Sequence, residues 1–180
     1  MTRMRVSPLR PGMVAAGLLM AACATQTQAQ PASGLADFQD RLPQDEIIYF
    51  VMPDRFENGD PSNDRGGIEG GRLDHGFDPT DNGFFHGGDL KGLTQKLDYI
   101  QGLGATAIWL APIFDSDRHA DADDRLDATG YFARDYFRID PEFGSLQDAR
   151  ELVDTAHAHG LYVFLDGVFG HHKADVVPSP

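Results

Sequence analysis

Leu161-Tyr-Val-Phe-Leu-Asp166-Gly-Val-Phe-Gly-His171-His172 is the stretch on which the fold turns. An uninterrupted apolar run opens it, directly after Gly160, and reads as a buried strand over Leu161 to Val168. Such a strand delivers a carboxylate, Asp166, and an imidazole, His171, to its C-terminal tip. In parallel α/β barrels that tip is where chemistry is placed.

Upstream, Ser145 with Asp148 three residues on has the form of a capping box, with Asp in place of Glu. Leu146, Ala149, Leu152, Val153 and Ala156 then give a helix its buried face, and Gly160 ends it. His157 and His159 fall where a helix C-terminal dipole favours them. Ala105 to Leu110 is a second strand, too apolar to face water on either side, as a parallel strand covered by helices is. Before it, Asp89 can cap a helix whose apolar stripe is Leu90, Leu93, Leu97, Ile100 and Leu103, with Gly104 as the stop. Ile47 to Met52 is the first strand. Pro53 to Phe85, dense in Gly, Asp, Asn and Pro, is a long loop of functional length. Asp115 to Asp127 is an acidic loop, read as solvated. Strands alternating with helices give a parallel sheet with right-handed crossovers.

The chain has 180 residues and a formal net charge of −13. That balance excludes nucleic acid as a partner and suits a neutral substrate, bound cations, or both. Arg3, Arg5 and Arg10 precede the short apolar stretch Gly12 to Ala22, the pattern of an export signal. The stretch is too short to span a membrane as a helix. The only cysteine, Cys23, follows Met-Ala-Ala, which resembles a bacterial lipobox; Thr27-Gln-Ala29 offers cleavage after residue 29 instead. The expected organisation is a signal over 1–23, a Gln/Thr/Ala/Pro-rich tether over 24–40 and a folded domain over 41–180. The expected location is the periplasm or the outer-membrane or cell surface, through a lipid on Cys23, with soluble secretion as the alternative.

Several spaced motifs agree in order: Asp54-Arg-Phe56, Gly87-Gly-Asp-Leu90, Ile108-Trp-Leu-Ala-Pro-Ile-Phe114, Gly130-Tyr131 with Asp135-Tyr136, Asp140-Pro-Glu-Phe-Gly144 and the Asp166 to His171 segment. Together they resemble the α-amylase family, glycoside hydrolase family 13. The resemblance implies the N-terminal part of a TIM (β/α)8 barrel, about three βα units, incomplete in this chain because a whole barrel needs roughly 250 residues. It implies an α-linked glucan such as starch or a maltooligosaccharide as substrate. His171 would hydrogen-bond the sugar beside the scissile bond, Asp166 would hold polar neighbours at the floor of the site, and Tyr131 would stack on the same sugar. The family's Asn is Gly170 here, which removes a side-chain ligand for one of the family's calcium ions.

A different calcium site is implied by Asn58-Gly-Asp60-Pro-Ser-Asn63-Asp64 with Gly87-Gly-Asp89, which resembles the first-loop site of cyclodextrin glycosyltransferases and related amylases. The ligands would be the side chains of Asn58, Asp60, Asn63, Asp64 and Asp89 with the carbonyl of Gly87. Calcium takes six to eight oxygen ligands, and this set supplies about that many. An Asx-rich turn with solvated acids is the other reading of the same residues.

Retaining glycoside hydrolysis needs two carboxyl groups about 5 to 5.5 Å apart. In the family these stand on later strands, so nucleophile and acid/base are expected beyond Pro180, and the 180-residue chain is expected to be inactive alone. Two functions stand: an α-glucan hydrolase present as its N-terminal piece, or a non-catalytic, calcium-dependent glycan-binding lipoprotein derived from such a barrel.

Overall fold

The computed structural model describes Phe38, residues 40–116, Leu126 and residues 128–172. The export signal, Cys23, most of the tether and nearly all of the acidic loop after Ser116 lie outside the described residues.

Three parallel strands carry the site. They are β1 (Ile48–Val51), β2 (Ala107–Leu110) and β5 (Tyr162–Leu165), in the order β1-β2-β5. Their registers pair Phe50 with Trp109 and Trp109 with Phe164. The expected strands and their adjacency are therefore present, each trimmed at its ends. The chain from β1 to β2 contains a single helical turn, α1 (Arg72–His75), then α2 (Leu90–Gln95) and α3 (Leu97–Gly102). From β2 to β5 it runs through β3 (Phe114–Ser116), β4 (Ala133–Ile139) and α4 (Leu146–Ala158).

Two sequence expectations need correction. The helix expected over Leu90 to Leu103 is broken at Lys96, whose φ −107° and ψ 12° are not helical. The Lys96 N–H donates to Leu93 O three residues back, so the turn is tightened there. The apolar stripe survives the break. Leu90, Leu93, Leu97 and Ile100 are all buried, while Leu103, expected on the stripe, is exposed. The second correction concerns Asp115, read as the start of a solvated loop. It lies in β3, which pairs antiparallel with β4, and Asp115 and Ser116 are buried. A strand so short and polar has no apolar alternation to announce it.

The capping box at α4 forms as expected, with Asp148 N donating to Ser145 Oγ and Ser145 N donating to an Asp148 oxygen. Leu152 and Ala156 of α4 pack with Leu93, Leu97 and Ile100 against Ile108, Leu110 and Val51 of the sheet, in one core cluster. Phe38, inside the segment assigned to the tether, is buried against His157 and Tyr162 at ring distances of 5.1 and 5.0 Å. Packed structure thus reaches back beyond residue 41.

The opposite face of the sheet is open. Ile48, Phe50 and Trp109 remain 46%, 48% and 44% exposed there. Among the described residues β1 and β5 have no strand on their outer edges and this face has no cover; the rest of a barrel supplies both.

Candidate functional site

Asp166 follows β5 directly, and its N–H extends the ladder by donating to Leu110 O at 3.0 Å. Strand alternation puts its side chain on the same face as Phe164 and Trp109. Two donors meet on one of its oxygens. Tyr131 Oη donates to Oδ2 at 2.8 Å, and Trp109 Nε1 donates to the same Oδ2 at 3.1 Å. Oδ1 has no hydrogen-bond partner among the described residues.

Tyr131 is placed by a sharp turn at Gly130, whose φ is +80°. A Cβ there would lie 2.0 Å from Pro112 O, so only glycine lets the chain pass so close to the end of β2. Burial, and then the hydrogen bond and negative charge of Asp166, push the Tyr131 phenol above its ordinary pKa. It therefore stays a protonated donor throughout the neutral range.

His171 completes the group. Its Nε2 lies 2.7 Å from Tyr131 O. A carbonyl can only accept, so Nε2 carries the proton, and Nδ1 is the acceptor of the ring in its neutral tautomer. Tyr136 Oη donates to His171 O at 2.9 Å, and the Phe132 ring lies 5.2 Å from the imidazole. The three expected sugar-site residues, Tyr131, Asp166 and His171, are thus joined by direct hydrogen bonds. Beside them Tyr136, Val168, Phe169, His171 and His172 line a hollow of about 390 Å³. A Cβ on Gly170 would meet nothing within 4 Å, so the backbone does not itself require glycine there. A separate cavity of about 130 Å³, lined by Leu110, Leu152, Val153 and Leu165 among others, lies on the helix side of the sheet and is almost wholly apolar.

The first-loop residues also converge, around Asp89. Its carboxylate is fully buried and accepts from Gly59 N, Asp60 N, Gly92 N and Asn63 Nδ2. Asn58 Nδ2 donates to Asp64 Oδ1 at 2.7 Å. A Cβ on Gly87 would fall 2.7 Å from Asn58 Nδ2 and 2.8 Å from Asp64 Oδ1, so these three positions share one spot. Asp60 departs from the expected set: its carboxylate is held by Ser62 and Lys91, and those bonds, Ser62 first, lower its pKa. Among the described residues no three His, Cys, Asp or Glu side chains gather as a metal centre. Two features fit a cation nonetheless. Asn63 Oδ1 is buried with no hydrogen-bond partner. Burial raises the Asp64 carboxyl, as do the negative charges of Asp89 and Asp60.

Sequence reasoning missed three contributors. Trp109 and Phe132 touch the site directly, Trp109 having been read as part of an apolar strand and of the Ile108 to Phe114 motif without a role of its own. The third is buried Asp54, which accepts from His86 N at 2.7 Å and Gly87 N at 3.2 Å. Arg55 Nε lies 2.6 Å from Asp54 Oδ2, and the guanidinium also donates to Asn82 O and Phe84 O. Together they fix the turn that leads into Asp89.

Comparison with known proteins follows the same lines. The family model for the alpha amylase catalytic domain matches residues 50–177. An alpha-amylase of Streptomyces lividans is 50% identical over 112 residues, 61% of this chain and 12% of that protein. A cyclomaltodextrin glucanotransferase of Klebsiella oxytoca is 38% identical over 156 residues, 85% of this chain and 22% of that protein. The crystal structure of AmyP in complex with maltose superposes with a TM-score of 0.58 at 52% identity, covering 74% of this chain and 25% of that one. The chain therefore spans about a quarter or less of the length of these relatives.

Proposed function

The chain belongs to the α-amylase family, and we propose that it forms the first part of the catalytic barrel of an α-glucan-active glycoside hydrolase. The observation that carries this reading is the junction of Tyr131, Asp166 and His171 at the C-terminal tips of parallel strands. A solved relative that holds maltose supports an α-linked glucan as the ligand.

On this reading each residue has a distinct task. Tyr131 offers an aromatic face to a pyranose while its hydroxyl is spent on Asp166. Asp166 keeps Oδ1 for a sugar hydroxyl, and His171 accepts another through Nδ1. These groups hold and orient one glucose unit. The attacking and proton-donating carboxylates of retaining hydrolysis are assigned to no residue of these 180. Asp166 is kept apart from the nucleophile's part by its match to the family's supporting aspartate. Export through the N-terminal leader, with a lipid on Cys23, belongs to the same proposal on its sequence pattern alone.

The first loop is proposed to hold calcium, through Asn58, Asn63, Asp64, Asp89 and the Gly87 carbonyl, with Asp60 joining if its carboxylate leaves Lys91. The bound ion would supply positive charge that offsets the crowded carboxylates and ties the 58–64 loop to the turn before α2. Asp64→Asn is expected to weaken calcium binding at least about tenfold in calorimetry, since it removes one charged oxygen ligand. Unchanged affinity would remove Asp64 from the ligand set.

The glucan reading is tested through Trp109, the sole tryptophan, which lies against the site. Maltotriose is expected to change its fluorescence saturably, and cellotriose, with β-linkages, is not. Equal responses to both sugars, or none to maltotriose, would overturn the reading.

A further inference from the structure

Trp109 sits on the central strand, two residues away in register from Asp166, since Trp109 pairs with Phe164. Its indole is fixed from the other side as well. Phe50 on β1 meets it edge to face at 5.9 Å and 85°. Indole has one donor and no acceptor, and that donor is aimed at Asp166 Oδ2 at 3.1 Å. Tyr131 reaches the same oxygen from the opposite side of the chain, out of the segment that follows β3.

A carboxylate on a short side chain at the end of a strand has freedom about its terminal torsion. One donor would leave that rotation soft. Two donors converging on one oxygen, each on a rigid aromatic frame with few rotamers, define the plane of the carboxylate and leave Oδ1 as the oxygen without a partner among the described residues. We propose that Trp109 is a positioning residue for the sugar site: its Nε1–H, with the Tyr131 hydroxyl, locks the Asp166 carboxylate so that Oδ1 faces the ligand. The role rests on the sugar-site reading above and adds to it. Trp109 acts through Asp166.

The experiment uses the whole chain. Because Trp109 is the only tryptophan, benzothienylalanine can replace it at that one position, exchanging the N–H for sulfur with nearly the same shape. Trp109→Phe is the simpler companion variant. Two quantities are read: the calorimetric Kd for maltotriose, and the titration of Tyr131 by 13C-tyrosine NMR, with its signal assigned by Tyr131→Phe. Loss of the N–H is expected to weaken maltotriose binding about tenfold, the scale of one hydrogen bond to a charged group. It is also expected to bring the Tyr131 pKa part of the way back to its ordinary value of about 10, as the loosened carboxylate swings off the phenol. A tryptophan that served only to fill space would leave that titration unmoved. Wild-type affinity together with a wild-type Tyr131 titration in the benzothienylalanine protein overturns the proposal. If the unmodified chain binds no maltotriose, the sugar-site reading falls instead, and the Tyr131 titration alone decides the positioning role: a fall upholds it, no change rejects it.

Discussion

Asp89→Ala is expected to cost the fold about 3–5 kcal/mol, read as a large drop in the urea midpoint of the 180-residue chain. The side chain is fully buried and accepts from three backbone N–H groups and the Asn63 amide. Stranding a buried donor costs about 1–3 kcal/mol each, and water entering the vacated space offsets part of that sum. One of the stranded donors is Gly92 N, so the substitution also removes the N-cap of α2, worth about 1 kcal/mol. No other residue can take the place of Asp89 easily, because the loop and the helix touch through their backbones. A Cβ on Gly92 would stand 2.0 Å from Glu57 O. The effect is expected with or without calcium present. A stability within about 0.5 kcal/mol of wild type, from the midpoint and slope of the urea transition, would show that the 58–64 loop is not fastened through this carboxylate.

Gly130→Ala is expected to weaken sugar binding about 100-fold while leaving the core in place. The added methyl would need to occupy the position 2.0 Å from Pro112 O, and the residue would have to hold a φ of +80°. The left-handed backbone alone costs roughly 1–2 kcal/mol for an L-residue, and the clash cannot be relieved by a side-chain rotation because its partner is backbone. The chain must therefore move at Gly130, and Tyr131 moves with it. Loss of both the Tyr131 platform and its bond to Asp166 is expected to weaken maltotriose about 100-fold. Circular dichroism should stay close to wild type, since residues 128–132 lie outside the three-stranded sheet. Retention of wild-type maltotriose affinity would place the ligand somewhere other than on Tyr131.

Much of this site could be read from residue order. The run Leu161 to Leu165 followed by Asp166 could be recognised as a strand from its apolar residues alone, but its expected burial is not met: β5 is half-buried and Leu165 is 61% exposed, because the strand stands at the sheet's edge. The capping signals at Asp89 and Ser145 were legible because each is satisfied by donors three residues away. What could not be read depends on distant contacts. Nothing local to Trp109 says that its N–H reaches Asp166, 57 residues on. The burial of Asp115 and Ser116 follows from pairing with β4, and no alternation in so short a strand announces it. The break at Lys96 leaves the spacing of the leucines intact, so the pattern reads through it. The partial calcium set shows the same limit. Spacing placed Asp60 with Asp64 and Asp89, but Lys91 and Ser62 hold its carboxylate by contacts that spacing alone does not reveal.

The structure of the chain crystallised with maltotriose bears most directly on whether Tyr131, Asp166 and His171 form a glucan site. One glucose ring is expected against the face of Tyr131, with hydroxyls within about 2.6–3.2 Å of Asp166 Oδ1 and His171 Nδ1. Maltotriose bound on another surface, or no sugar at saturating concentration while the three residues bond only to one another, would contradict it.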